Sequence, residues 1–253
     1  SFAKKGFFCN SGAEANEAAI KLARKYFGSR GDRRMQIISM EMSFHGRTFA
    51  TLAATGQKKV QAGYEPLLEK FTYVPFNDID AMRKTISSDT AAVLVEPIQG
   101  EGGVNVPSPD YLREVKALCQ EAGALLIFDE VQVGVGRTGT LFAYENFDVT
   151  PDIMTLAKGL AGGVAIGAMC ATDSVAAAFT PGAHASTFGG NPLATAAGIA
   201  TIETILNDGV LENCKKSGSY LFEKLEYLKK DFQFIKDVRG RGLIIGVELA
   251  GVN

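Results

Sequence analysis

One lysine of the 253-residue chain, Lys158, stands among small and apolar neighbours in the stretch LAKGLAGG. A lysine is nucleophilic only when its amine is uncharged, and apolar surroundings favour that form because they keep water from the charge. Small neighbours also leave room for a bulky adduct, as Schiff-base chemistry requires. By itself, however, the stretch favours a lysine at a helix end whose ammonium group extends into solvent.

Two carboxylates, Asp129 and Glu130, directly follow the apolar run 124–128. A carboxylate at the end of a buried strand costs free energy unless it finds a partner. For a single acidic residue, a helix cap or a structural ion pair is the simpler interpretation. The glycines of the next segment, VQVGVGRTG, weaken that interpretation because they permit a turn or a close approach of the backbone.

A third candidate is the segment SGAE. Ser11 and Glu14 have the spacing of a capping box, which predicts a helix start and needs no ligand. Gly12 and Ala13 have almost no side chain, so the backbone N–H groups at this helix start are open to an anion such as phosphate.

The elements that must position these residues alternate along the chain. Apolar runs predict strands at 6–10, 35–40, 91–97 and 124–130, and amphipathic segments predict helices at 11–28 and 108–123, the second ending at Gly123. This alternation predicts a three-layer α/β/α fold with a mainly parallel sheet. Open sheets of this kind bind ligands beyond the carboxyl ends of their strands, where Asp129 stands.

We expect two units, a large domain at 1–237 and the start of a smaller C-terminal α/β domain at 238–253. The helical segment 217–232 precedes VRGRGLIIGVEL, which we predict to form the first strand of the second unit. Because Ser1 is not a methionine and the chain stops just after an apolar run, we expect both ends to be truncated.

Composition and charge argue against several classes of protein and of site. A net charge of −2 argues against binding of nucleic acid or other polyanions. The sequence has no apolar run of 18 residues and no signal peptide, so we expect a cytoplasmic protein without a membrane span. The four cysteines form no CxxC pair and are expected to be reduced thiols. With only two histidines, we expect no metal site.

Together, the anion cradle, the strand-end carboxylate and the lysine match what pyridoxal phosphate needs for its phosphate, ring nitrogen and aldehyde. The chain resembles the class III aminotransferases of fold type I, and among them the acetylornithine aminotransferases most. The resemblance covers nearly the whole chain. It rests on the order and spacing of six segments: FFCNSGAEANEAAIKLAR, FHGRT, VEPIQGEGG, FDEVQVGVGRTG, PDIMTLAKGLAGG and HASTFGGNPLA.

The resemblance implies a role for each residue around the cofactor ring. Lys158 would carry pyridoxal phosphate and move protons once substrate displaces it. Asp129 would keep the ring nitrogen protonated. Val131 and Phe44 would pack against the two faces of the ring, and Gln132 would reach its phenolic oxygen.

The resemblance also implies how phosphate is bound. Ser11, Gly12 and Ala13 would bind it within one subunit. Thr187, with Ser186 beside it, would cross the interface of a homodimer to the neighbour's phosphate and substrate.

For the substrate, Arg47 is similar in place to the arginine that binds the α-carboxylate in this family, and a guanidinium suits a carboxylate because it offers two parallel hydrogen bonds. Glu101 resembles the family's switch glutamate, which pairs with an arginine of the C-terminal domain. Glu96 is expected to support the site without touching the reacting groups, and the role of Arg137 stays open. Two departures from the family's pattern, Val133 and Ala165, are expected not to touch the chemistry.

The activity implied is transamination from N-acetylornithine to 2-oxoglutarate, a reaction of arginine biosynthesis. Ornithine, succinylornithine and 4-aminobutyrate aminotransferases are the alternatives within the family. A catalytically inactive binding module with the same fold is a further alternative, although intact Lys158, Asp129 and Arg47 argue against it.

Overall fold

The computed structural model describes residues 2–251, so Ser1 and the last two residues of the predicted second unit lie outside it. Its main sheet has seven strands, in chain order β1 (Lys5–Cys9), β2 (Gln36–Met40), β3 (Phe71–Val74), β4 (Thr90–Val95), β5 (Leu125–Asp129), β6 (Ile153–Leu156) and β7 (Gly167–Ala171). Their order across the sheet is β1-β7-β6-β5-β4-β2-β3. The five adjacent strands β3, β2, β4, β5 and β6 run parallel to one another, while β7 runs antiparallel to both β6 and β1. The prediction of a mainly parallel sheet is confirmed.

Helices cover both faces of the sheet. They are α1 (Gly12–Gly28), α2 (Phe49–Ala54), α3 (Lys58–Gln61), α4 (Ile79–Thr85), α5 (Tyr111–Ala122), α6 (Asp173–Ala176), α7 (Pro192–Asn207) and α8 (Val210–Asp231). Leu94 and Ile127 share one core with residues of α1, and Val93 and Phe128 share another with residues of α5. Because neighbouring residues of a strand face opposite ways, β4 and β5 supply both cores and read as continuous apolar runs.

The two predicted helix signals act as expected. Ser11 caps α1 by accepting the backbone N–H of Glu14, and the Glu14 carboxylate reaches back to the N–H of Asn10 at 2.9 Å. The first helix therefore begins where the first strand ends, with Gly12 and Ala13 in its first turn. Gly123 ends α5 in the left-handed conformation at φ +66°, which glycine adopts without a steric penalty.

The C-terminal segment differs from the prediction of a single strand. It forms an antiparallel hairpin of β8 (Ile235–Arg241) and β9 (Ile244–Leu249), and Gly242 turns the chain between them at φ +58°. The hairpin starts before residue 238, and its first strand packs on α8. The division of the chain at residue 237 stays a prediction. No helix within residues 2–251 is long and apolar enough to cross a membrane.

Candidate active site

A cavity of about 440 Å³ opens where β4, β5 and β6 end and α1 begins. This is the carboxyl edge of the parallel strands, where open α/β sheets bind ligands. Nine of the predicted site residues line it: Ser11, Gly12, Ala13, Phe44, Arg47, Asp129, Val131, Gln132 and Lys158. Three others, Glu101, Ser186 and Thr187, lie outside its wall.

Asp129, at the end of β5, is only 3% exposed and is held by three hydrogen bonds of 3.0 Å or less, with a fourth, longer one from Thr155 Oγ1 to Oδ1 at 3.5 Å. One carboxylate oxygen, Oδ2, accepts from Asn16 Nδ2 at 2.7 Å and lies 2.8 Å from His45 Nδ1, while Oδ1 accepts from the N–H of Val131 at 3.0 Å. An ionised carboxylate can only accept, so His45 Nδ1 carries the proton. No Lys or Arg forms an ion pair with Asp129 among residues 2–251. The site therefore presents a rigidly held carboxylate that no Lys or Arg of residues 2–251 neutralises.

Sequence reasoning missed the polar residues that hold Asp129. Asn16 Oδ1 accepts from Thr155 Oγ1 at 2.7 Å, and Asn16 Nδ2 also donates to the carbonyl of His45 at 2.8 Å. Asn16 is 1% exposed, on the same face of α1 as Ala19 and Ala23. An asparagine among buried alanines at helical spacing was the available signal, because a buried amide needs hydrogen-bond partners.

His45 was also missed as a site residue. It is 2% exposed and lines the cavity. Its Nδ1 faces Asp129, and its Nε2 has no hydrogen-bond partner in the part of the chain that the structure describes. From the sequence, His45 entered only as one of two histidines, too few for us to expect a metal site. Within that same part of the chain, no group of three His, Cys, Asp or Glu side chains could hold a metal ion.

Lys158 lies at the cavity wall, but its surroundings differ from the predicted enclosure. The side chain is exposed, and its Nζ donates to Gln132 Oε1. The chain takes a 3-10 turn over Lys158–Ala161, in which Lys158 has the left-handed φ of +46°. Leu160 and Ala161 consequently point into the core below the turn, so they do not surround the amine. A non-glycine residue in this conformation costs of order 1–3 kcal/mol and is found most often at functional sites.

The start of α1 is shaped to admit an anion beside Val131. As the first residues of the helix, Gly12 and Ala13 have backbone N–H groups without intrahelical acceptors. A Cβ on Gly12 would lie 2.6 Å from Cγ1 of Val131, far inside ordinary contact. Only glycine therefore allows Val131 to stand this close to the helix start.

Phe44 and Arg47 face the same cavity from the loop between β2 and α2. Phe44 is partly buried, and the guanidinium of Arg47 is exposed 5.6 Å from the centre of its ring. No carboxylate pairs with Arg47 among the described residues. Its five N–H donors thus remain available to a ligand.

Glu101 lies in a second cavity of about 430 Å³, which adjoins the first because Gln132 and Lys158 line both. Arg137 also lines it and donates from Nη1 to the carbonyl of Leu243 at 3.4 Å. Glu101 is exposed and has no cationic group within ion-pair distance in the range 2–251. The second cavity thus connects Lys158 with one free carboxylate.

The loop before α7 contributes no residue to the wall of the first cavity, which Lys158 lines. Ser186 Oγ accepts from Asn10 Nδ2 and from the N–H of Gly189, each at 3.2 Å. Asn10 itself lines the first cavity, while Thr187 is exposed and lies outside it. The contact of Ser186 is with its own chain, and a reach across a dimer interface stays a prediction for both residues.

Two carboxylates next to the site are buried. Glu96 is 4% exposed and accepts from the N–H groups of Phe44 and Gly100, each at 3.1 Å. Burial raises the pKa of Glu96 from 4.5 to about 7, against the opposing effect of nearby His45. Glu130 accepts from the backbone of residues 143 and 144, and burial raises its pKa to about 8.

The two departures from the family's pattern have different positions. Val133 is 1% exposed and packs in the core shared with α5, so it does not reach the site. Ala165 lines the first cavity, and the expectation that it does not touch the chemistry stays a prediction. The turn that follows Lys158 brings residues 163–166 back over the cavity.

The chain matches the family model described as aminotransferase class-III over residues 1–252. It is 53% identical over 244 residues to the acetylornithine aminotransferase of Oceanobacillus iheyensis, covering 96% of this chain and 61% of that protein. It is 50% identical over 249 residues to the succinylornithine transaminase of Photorhabdus laumondii, covering 98% and 62%. The chain thus spans about three fifths of the length of these relatives.

Solved structures give the same relationship. The ornithine aminotransferase of Toxoplasma gondii superposes with a TM-score of 0.94 at 35% identity, covering 98% of this chain and 60% of that one. The N-acetylornithine aminotransferase of Stenotrophomonas maltophilia superposes with a TM-score of 0.82 at 39% identity, covering 99% and 61%. Sequence, fold and site agree, and the chain belongs to the class III aminotransferases.

Proposed function

We propose that the protein is a pyridoxal-phosphate-dependent aminotransferase that uses N-acetylornithine as amino donor and 2-oxoglutarate as acceptor, in arginine biosynthesis. The observation that carries the proposal is the meeting of three groups in one cavity: the open start of α1, the carboxylate of Asp129 and the amine of Lys158. The start of α1 lies more than 100 positions before the other two groups in the chain, so their meeting is a property of the fold.

The residues present fit the cofactor. Gly12 leaves space beside Val131 that a Cβ would fill, and the free N–H groups of α1 suit a phosphate. Asp129 is buried without a fixed cation and can balance the charge of a protonated ring nitrogen. Val131 and Phe44, both partly buried, line the cavity as the two faces of a flat ring would require.

Pyridoxal phosphate, when bound, supplies a sink for the electrons of the bond broken at the amino carbon of the substrate. Asp129 would hold a proton at the ring nitrogen, in an orientation fixed by Asn16 and His45. Lys158 Nζ would bind the cofactor and then move a proton at the substrate carbon. Arg47 would bind the substrate carboxylate through its two-pronged guanidinium.

For the amino donor, the names of the relatives favour acetylornithine, and succinylornithine is the second candidate because one relative is named for it. Both donors carry an α-carboxylate for Arg47. The acyl group, carried by the nitrogen of the same α-carbon, would extend toward Glu101, through the second cavity that adjoins Lys158.

The proposal includes a cytoplasmic homodimer in which Ser186 and Thr187 approach the neighbour's site. Large apolar side chains near this loop are exposed, with Phe188 at 70%, Leu193 at 72% and Ile199 at 59%. Exposed apolar surface of this kind marks an interaction site, and a second copy of the chain is the proposed partner. We also propose that 1–237 is the cofactor-binding domain and that 238–253 begins a second one.

The test is the site of covalent attachment. Full-length protein is mixed with pyridoxal phosphate, reduced with borohydride and mapped by peptide mass spectrometry. Wild type and the exposed control Lys59→Ala should carry the label on Lys158, and Lys158→Ala should carry none. A label on another lysine would refute the cofactor assignment.

The donor is tested separately by comparing kcat/KM for N-acetylornithine, N-succinylornithine, ornithine and 4-aminobutyrate. We expect N-acetylornithine to give the highest value. A clear preference for 4-aminobutyrate, which lacks an α-carboxylate, would refute both the donor and the role of Arg47.

A further inference from the structure

We propose that Glu96 is a positioning residue, which ties the loop of Phe44 and Arg47 to the turn of Gly100 and Glu101. The inference rests on the proposed function, because these two segments face the cavities assigned to cofactor and substrate. In this proposal, one buried carboxyl group fixes the relative position of two segments that face the cavities.

The link is direct on both sides. Glu96 is the first residue after β4, and its side chain lines the first cavity while being 4% exposed. Oε2 accepts the N–H of Phe44 and Oε1 accepts the N–H of Gly100, each at 3.1 Å. Phe44 is 52 residues away in sequence, so the carboxyl group joins segments that the chain itself does not hold together.

A carboxylate suits this task better than other side chains. Two backbone N–H donors converge on the group, and a carboxylate has two acceptor oxygens where an amide has one. Hydrogen bonds to an ionised acceptor are also the stronger ones. Burying the charge costs free energy, so packing alone would favour an apolar residue at this position.

A second contact joins the same two segments farther from the cavity. Gln99 Nε2 donates to the carbonyl of Glu41 at 2.8 Å, and Gln99 is fully buried. The protein should therefore stay folded without the Glu96 carboxyl group. Only the cavity side of the two segments should loosen, which is the side that carries Phe44 and Glu101.

The expected consequence concerns the substrate. Arg47 follows Phe44 on one segment, and Glu101 follows Gly100 on the other. Glu96 therefore sets the separation of the two groups proposed to face the donor's α-carboxylate and its acyl group. Loss of the link should weaken binding of the donor more than it slows the chemistry at Lys158.

The test uses Glu96→Gln and Glu96→Ala in the full-length protein, with Glu130→Gln and Glu130→Ala as matched controls. Glu130 is equally buried and accepts from two backbone N–H groups, those of Ala143 and Tyr144, but it lines neither cavity. The first measurement is amide hydrogen exchange before any cofactor is added. Exchange should rise together in 43–47 and 99–104, more in Glu96→Ala than in Glu96→Gln, and not in the controls, which should instead loosen 142–146.

The second measurement is steady-state kinetics with cofactor present. In Glu96→Ala the KM for N-acetylornithine should rise about tenfold, as expected when two buried N–H donors lose their acceptor, while kcat changes less. Glu96→Gln keeps one acceptor oxygen and should lie between Glu96→Ala and wild type; it also serves if the alanine variant does not fold.

Two results would overturn the inference: exchange that rises in only one or neither of the two segments, or a Glu130→Gln variant with the same increase in KM. If wild type takes up no pyridoxal phosphate, the proposed function fails, while the hydrogen-exchange comparison still decides whether Glu96 links the segments.

Discussion

Replacing Gly12 by alanine should weaken cofactor binding while leaving the free protein nearly as stable as wild type. A Cβ at this position would lie 2.6 Å from Cγ1 and 2.9 Å from Cγ2 of Val131. Val131 must therefore move until these distances reach the 3.4 Å of ordinary contact. It lines the cavity, so it has room to move there only while the cofactor is absent.

The size of the effect follows from the cost of overpacking. Forcing one extra carbon into a well-packed site costs about 1–3 kcal/mol. If this cost appears only when the ring occupies the space, the dissociation constant for pyridoxal phosphate should rise about 5- to 150-fold. The backbone of Gly12 is not in the left-handed region, so alanine introduces no strain of its own there.

The assay is a cofactor titration by absorbance, combined with thermal unfolding of the cofactor-free protein. Val131→Ala removes both clashing methyl groups, so the double variant should recover affinity relative to Gly12→Ala, with a coupling of about 1 kcal/mol or more. Gly28→Ala, at the other end of the same helix, is the control because no atom lies within 4 Å of its Cβ. Strictly additive effects of the two substitutions would show that the clash with Val131 is not the cause.

Three further predictions follow from the site. Asp129→Asn should fold but be nearly inactive, since an amide cannot balance a charged ring nitrogen. Either amide orientation also turns N–H groups toward existing donors, which should lower the free energy of unfolding by about 1–3 kcal/mol; turnover near wild type would contradict this. Arg47→Lys should raise KM for N-acetylornithine and glutamate but not for 4-aminobutyrate, because lysine lacks the paired donors; an unchanged KM for every α-amino carboxylate would remove Arg47 from the site. The folded pKa values of Glu96 and Glu130, about 7 and 8, exceed the ordinary 4.5, so between pH 4.5 and 8 the folded state binds more protons and stability should fall as pH rises. Denaturant unfolding across this range checks the slope, which Glu130→Gln should flatten; stability that increases with pH would contradict the assignment.

The elements that the sequence predicts best are those whose signal is local. The runs that form β4 and β5 are apolar at every position because both faces of the sheet are covered, and Gly123 marks the end of α5. The direction of β7, in contrast, could not be predicted from a local signal. Nothing in GAMCA indicates that it runs antiparallel, since direction is set by pairing with β6 and β1.

For the candidate site, too, some residues could be predicted from the sequence and others could not. Asp129 could be placed at the carboxyl edge of the sheet because it ends a predicted strand, and Lys158 was joined to it by the needs of the cofactor and by the resemblance. Asn16 and His45 could not, because their hydrogen-bond partner Asp129 lies 113 and 84 residues away. For the Lys158 amine the sequence allowed both an enclosed and a solvent-exposed position, and its exposure depends on a turn whose residues Leu160 and Ala161 face the core.

The pairing of β1 with β7 has a consequence for synthesis on the ribosome. Residues 5–9 pair with residues 167–171, and the paired residues are 158 to 166 positions apart in the chain. At about 5–20 residues per second, β1 waits on the order of ten seconds for its partner. The start of α1 follows β1 directly, so the turn that we propose to bind phosphate should acquire its final shape only after Lys158 has already been made. We therefore expect the nascent chain to take up cofactor late, once β7 has emerged, even though every residue assigned to the cofactor ring lies before it.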